Sequence, residues 1–310
     1  MLRPLIFALS RSRTAERIAT GVPGFRGFSR RFVAGQRQQD VIDAVRRLNA
    51  GGFEATVSFL GEEVRDEAAV RAAVEEFTSY ARGVRAEGLR SHLSVKLTEL
   101  GLAFDRDLCE RSLDTVLKTA AECGTFVRID MEDSRYTEAT LEIVRLARAS
   151  HGNAGANAGV VVQAYLRRST DDVAALAEEG TPVRLVKGAY REPESVAYHS
   201  KPEVDESFAR LVDLYFARMA EGGWLAVATH DGRMVRAARR AAERHGVPRD
   251  RYEFQMLYGI RTDLQRSLRD QGHRVRVYVP YGSHWYPYLM RRLAERPANL
   301  WFFLRNTLRR

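Results

Sequence analysis

The chain has 310 residues, 45% of them hydrophobic, enough to bury a large core as one α/β barrel or as two ordinary domains. Its formal charge of +9 and pI near 9.8 invite an anionic partner, but arginine is spread along the whole sequence, which argues for a solvated basic surface and against a nucleic-acid patch. Two cysteines, Cys109 and Cys123, with no CxxC pair and no Cys/His cluster at zinc spacing, exclude a disulfide scaffold or zinc fold and point to a reduced, cytoplasmic setting.

The first 35 residues read as a basic helical extension with a loop at 21–27. The longest early apolar run, residues 5–9, is too short for a secretory core or a membrane span. The Arg-rich, acid-poor opening also resembles a transit peptide or a basic helix touching the inner face of a membrane.

From residue 36 onward, short β-branched runs alternate with longer stretches of helical spacing. The expected strands are 53–60, 92–98, 126–131, 159–165, 183–190, 225–230, 252–257 and 275–281. Helices are expected at 67–87, 107–123, 137–149, 171–179, 232–246 and 285–296, several of them closed by Gly88, Gly124, Gly180 and Gly246. Eight strand–helix units in about 250 residues predict a closed (βα)₈ barrel over 36–310, with a doubly wound open sheet as the alternative. The stretch 191–223 reads as an enlarged loop on the ligand-binding face.

Side chains alternate across a strand, so each run divides into two rows. Val275, Val277 and Val279 oppose Arg276, Tyr278 and Pro280; Leu93, Val95 and Leu97 oppose Ser94, Lys96 and Thr98. Val127, Ile129 and Met131 oppose Arg128 and Asp130, while Val160, Val162 and Ala164 oppose Val161, Gln163 and Tyr165. With the apolar rows under helices, Lys96, Asp130, Gln163 and Tyr278 project into the barrel near its carboxyl end. There they must pair with one another or with a ligand. Arg184 and Lys187, three apart, share a ligand only if their strand ends or bulges near Gly188. Arg291 and Arg292, on the last expected helix, suit a carboxylate. The glycine-rich stretch 152–159 precedes a strand, the wrong place for a dinucleotide pyrophosphate loop.

Nine collinear stretches resemble the proline dehydrogenase family: Phe-Leu-Gly-Glu at 59–62, Ser-Val-Lys-Leu-Thr at 94–98, Arg-Ile-Asp-Met-Glu at 128–132, Val-Val-Gln-Ala-Tyr at 161–165, Arg-Leu-Val-Lys-Gly-Ala-Tyr at 184–190, Ala-Thr-His-Asp at 228–231, Glu-Phe-Gln-Met-Leu-Tyr-Gly at 253–259, Arg-Val-Tyr-Val-Pro-Tyr-Gly at 276–282 and Arg-Arg-Leu-Ala-Glu at 291–295. The resemblance implies non-covalent FAD over the strand ends, its N5 taking hydride from the proline carbon beside nitrogen. Arg291, Arg292 and Lys96 would clamp the carboxylate, Tyr278 and Leu257 would wall the ring, and Asp130 would anchor the Lys96 side. Glu62 would pair with Arg291 as a gate. Met131, Gln163, Arg184, Val186, Lys187, Gly188, Ala189, Thr229 and His230 would hold the cofactor. Some relatives place an Arg-Lys pair after the fifth strand for the FAD phosphates; here Lys201 stands in Tyr-His-Ser-Lys at 198–201.

By the same resemblance a membrane quinone takes the electrons, and 1-pyrroline-5-carboxylate passes to a separate dehydrogenase on the way to glutamate. Two rival readings are a methylenetetrahydrofolate reductase, another flavin barrel, and a basic nucleic-acid-binding barrel.

Overall fold

The computed structural model describes residues 27, 29–61, 64–150 and 157–295, with side chains described as far as residue 290. Eight strands form a closed parallel barrel in sequence order: β1 (Glu54–Phe59), β2 (Ser91–Lys96), β3 (Val127–Asp130), β4 (Ala158–Gln163), β5 (Val183–Val186), β6 (Leu225–Ala228), β7 (Tyr252–Leu257) and β8 (Val275–Tyr281). A helix, α1 (Gln38–Ala50), precedes β1. Each strand is followed by one more: α2 (Glu67–Ala86), α3 (Arg106–Glu122), α4 (Thr137–Ser150), α5 (Ser169–Glu178), α6 (Lys201–Arg218), α7 (Gly232–Arg244), α8 (Thr262–Asp270) and α9 (Trp285–Glu295).

Local chemistry sets the boundaries. Asp66, Asp105 and Ser200 cap α2, α3 and α6 by accepting backbone N–H groups of the first turn, and Asp231 does the same for α7. The four glycines expected to close helices all adopt positive φ. Two elements differ from expectation. The fifth strand stops at Val186 instead of residue 190, because Gly188 turns the chain at a φ of 116°. The stretch 191–223 is not one enlarged loop, since α6 occupies most of it and the connection proper is 187–200.

The apolar rows lie between sheet and helices as expected: Leu93, Val95, Val127, Ile129, Val160, Val162, Val275, Val277 and Val279 all belong to one buried core. Register puts the opposite rows in the lumen, where such barrels normally pack branched apolar side chains. Here the lumen holds Thr56, Ser94, Arg128, Asp130, Arg184, Glu253, Gln255 and Arg276, all but Asp130 buried. That composition requires internal pairing throughout, and most of it is found, as described below.

Helix α1 packs outside β1 and β8, the place an eighth outer helix would take. The first turns of α9 lie instead at the carboxyl rim: Trp285, Tyr286, Tyr288, Leu289 and Met290 cluster with Leu60, Ile260, Phe32 and Val33. Phe32 and Val33 precede the boundary expected at residue 35, yet they are buried on this rim, and Ala34 donates its backbone N–H to Pro280 O at 2.9 Å. Among the described residues, no helix is long and apolar enough to cross a membrane.

Candidate active site

The carboxyl half of the lumen is organised by Asp130, the last residue of β3. One carboxylate oxygen accepts from Ser94 Oγ at 2.7 Å and from Arg184 Nη1 at 2.8 Å; the other accepts from the Tyr278 hydroxyl at 3.3 Å. Lys96, the last residue of β2 and register partner of Asp130, has its Nζ 3.7 Å from the same carboxylate. The expected pair is therefore present. Lys96 Nζ also donates to Ser58 Oγ at 3.2 Å and lies 3.6 Å from Glu99.

Arg184 is the hub of this half. Besides Asp130 and Ser94, it donates through Nε to Gln255 Oε1 at 2.6 Å and through Nη2 to Thr56 Oγ1 at 3.2 Å, and its guanidinium lies 5.4 Å from the centre of the Tyr278 ring. Burial pulls its pKa down, while the Asp130 charge holds it up. From Gln255 the network continues to Glu253, which accepts from Arg276 at 2.9 Å; Arg276 in turn grips Glu54. Hydrogen-bonded charge thus runs from the rim to the opposite end of the barrel.

Acidic groups gather around Lys96. Burial raises Glu99 to about 7, although the Lys96 charge opposes the shift. Burial also raises Glu132, whose carboxylate accepts from the Thr98 backbone and hydroxyl. Burial disfavours the Lys96 ammonium, but Glu99, Tyr278 and Asp130 outweigh it and hold the amine well above its usual range. Burial likewise pushes the Tyr278 phenol up, which keeps it a neutral donor.

A second cluster sits beyond β5 and β6. Lys187 pairs with Asp205 and lies 3.5 Å from Asp231. Lys201 and Arg233 reach the same two carboxylates, Arg233 at 3.0 and 3.3 Å. Burial disfavours the Asp231 carboxylate, but hydrogen bonds from Arg233 overcome this and depress its pKa. Arg184 lies inside the lumen and Lys187 past the end of β5, which stops at Val186 just before the turn at Gly188.

The other expected positions frame the rim. Gln163 Nε2 donates to Glu132 O at 2.7 Å, and His230 Nε2 accepts from the Leu257 backbone N–H at 2.9 Å. Leu257 and Val186 are half-buried, Met131 and Thr229 buried, and Ala189 exposed. At Gly188 a Cβ would lie 2.2 Å from the Tyr165 ring, so the left-handed turn and the close approach both require glycine. Thr98 does not extend β2; it lies in a single helical turn, Leu97–Leu100, with Glu99. Glu62 lies outside the described residues, as do the side chains of Arg291 and Arg292, whose backbone belongs to α9.

Sequence reasoning missed Gln255, Glu253, Glu99, Asp205 and Asp231. Alternation along β7 would have found the first two, since Glu253 and Gln255 share a row with Leu257. The others sit on helices or turns, where no strand periodicity marks them.

The proline dehydrogenase family model matches residues 41–305. Proline dehydrogenase 1 of Bacillus subtilis subsp. natto is 38% identical over 310 residues, covering 100% of both chains. Proline dehydrogenase of Deinococcus radiodurans is 38% identical over 282 residues, 90% of this chain and 89% of that protein. Among solved structures, proline utilization A (PutA) from Bdellovibrio bacteriovorus superposes with a TM-score of 0.80 at 25% identity; the match covers 90% of this chain but only 33% of that one. The family match favours the proline dehydrogenase reading over the folate-reductase one. The chain belongs to the proline dehydrogenase family.

Proposed function

We propose that the protein oxidises L-proline to 1-pyrroline-5-carboxylate with bound FAD, the first step of proline breakdown to glutamate. The observation that carries this reading is the convergence of Lys96, Asp130, Arg184 and Tyr278, from four strands, at one mouth of the barrel. Family membership supplies the substrate class.

The residues present fit a flavin dinucleotide. The left-handed turn at Gly188 packs tightly against the Tyr165 ring at the rim, Arg184 offers a buried cation, and Lys187, Lys201 and Arg233 surround Asp205 and Asp231 at the first turn of α7, three cations to two carboxylates. The net positive charge of this cluster beside a helix start that Asp231 caps suits a diphosphate. In this reading Met131, Gln163, Arg184, Val186, Lys187, Gly188, Ala189, Lys201, Thr229 and His230 hold the cofactor. When bound, the flavin supplies the acceptor for the hydride of the proline carbon beside nitrogen.

The chain's own residues orient and shield. Lys96 and the arginines 291 and 292 bind the carboxylate, fixing the ring without covalent catalysis. Tyr278 and Leu257 wall the ring. Asp130 holds Lys96, Arg184 and Tyr278 in one arrangement before substrate arrives, so little reorganisation accompanies reaction. Glu62 closes over the site by pairing with Arg291. Electrons then pass to a membrane quinone, and the product to a pyrroline-5-carboxylate dehydrogenase.

Dye-coupled steady-state turnover tests the proposal. Saturable oxidation of L-proline, with none of methylenetetrahydrofolate, is expected; turnover of the folate without turnover of proline would overturn it.

A further inference from the structure

We propose that Glu99 is a positioning residue of the carboxylate clamp: ionised, it occupies Lys96, and only when it takes up a proton is the Lys96 ammonium released to the carboxylate of the substrate. This rests on the reading of Lys96 as part of that clamp.

Glu99 stands in the turn Leu97–Leu100 that follows β2, and the turn folds it back over its own start. One carboxylate oxygen accepts the Lys96 backbone N–H at 3.4 Å, while the other lies 3.6 Å from Lys96 Nζ. Both side chains are largely shielded, Glu99 being 15% and Lys96 24% exposed. Among the described residues the ammonium donates one hydrogen bond, to Ser58 Oγ at 3.2 Å. Glu99 and Asp130 stand at 3.6 and 3.7 Å, past hydrogen-bonding distance. An ammonium has three donors, so two remain for a ligand, and what opposes the ligand is charge.

Asp130 is matched by Arg184 at 2.8 Å, which leaves Glu99 as the counterion of Lys96. Glu132 adds a third acid, accepting from the Thr98 backbone N–H and hydroxyl at 3.1 and 2.6 Å. A further carboxylate brought to this one ammonium leaves excess negative charge in a poorly hydrated rim, and protonating one acid removes it. Glu99 gives up its charge most readily, because burial has already brought its carboxyl to about 7 and an arriving anion adds repulsion. Of the other groups around the turn, Lys96 is held well above its usual range and the Tyr278 phenol is pushed up. Tyr190, beyond β5, lies within electrostatic reach of Lys96. Helix α3 brings Cys109, whose thiol burial pushes up to about 12, and α2 packs an apolar face there, with Val70 beside Gly101. Glu132, also raised by burial, is the rival that the test must separate. Below pH 7 Glu99 is already protonated and the carboxylate binds freely; above it each binding event takes up a proton, so affinity falls as pH rises.

Calorimetric titration of the purified holoenzyme with cyclopentanecarboxylate, the carbocyclic analogue of proline, tests this, since the analogue has no amine to titrate. Its Kd should rise roughly tenfold from pH 6 to pH 8. At pH 8 about one proton should be taken up per carboxylate bound, read from the dependence of the heat on buffer ionisation enthalpy. Glu99→Gln, which keeps an acceptor for the Lys96 N–H, should flatten the profile and abolish the uptake, whereas Glu132→Gln should retain both. A pH-independent Kd in the wild type, or a profile that survives in Glu99→Gln, would overturn the proposal while leaving the clamp intact. Absence of binding at every pH would sink the clamp and this inference together. None of these readouts depends on proline turnover, so the outcome is separate from that of the proposed activity.

Discussion

Arg184 donates to Asp130 across 2.8 Å, and through this bond two strands separated by β4 meet inside the barrel. The pair is deeply buried, with side chains 5% and 13% exposed. Removing one member of such a pair strands the other's charge, at a cost of about 3–5 kcal/mol. Asp130→Asn should therefore lower the melting temperature by roughly 10 °C and reduce proline turnover together. A melting curve matching the wild type would show that the pair contributes nothing net.

Lys96 is held by Ser58, Glu99 and Asp130 with its ammonium partly exposed at the rim. A charge-assisted hydrogen bond contributes about 1.5–3 kcal/mol, and 1.4 kcal/mol is tenfold in affinity. Lys96→Met should raise the KM for proline by roughly 10- to 100-fold while the flavin spectrum stays intact. Titrating proline against initial rate checks this, and an unchanged KM would remove Lys96 from the carboxylate clamp.

Much of this arrangement was legible in the sequence. Alternation in the second, third and eighth strands placed Lys96, Asp130 and Tyr278 in one lumen and anticipated the Lys96–Asp130 pair, because parity is a property of the strand and survives tertiary packing. The end of β5 was legible only in part: the sequence marks Gly188 as a point where the strand ends or bulges, but it is the backbone turn there that stops the strand at Val186 instead of residue 190. Glu99 escaped because it sits in a helical turn after β2, where spacing carries no facing information. Asp205 reaches the rim cluster from α6, a partnership set by tertiary packing alone.

Glu99 gives the fold a pH signature. Burial raises its pKa from 4.5 to about 7. Between those values the folded state binds more protons than the unfolded one, so stability falls as pH rises from 4.5 to 7, and the full cost is present above 7. At 1.36 kcal/mol per unit that cost is about 3 kcal/mol. Glu99→Gln removes the dependence, so its melting temperature relative to wild type should climb between pH 5 and pH 8. A difference independent of pH would contradict the buried carboxyl.

Gly188 combines a φ of 116° with a Cβ position 2.2 Å from the Tyr165 ring. Non-glycine residues in such conformations cost about 1–3 kcal/mol. Gly188→Ala should leave the circular dichroism of the barrel intact while lowering the flavin retained after gel filtration. Full flavin occupancy in the variant would remove this turn from the cofactor site.

The absorbance spectrum of the purified protein, titrated anaerobically with L-proline, tests the central claim most directly. A yellow protein whose flavin bands bleach stoichiometrically on adding proline is predicted. A colourless protein, or flavin bands indifferent to proline, would contradict it.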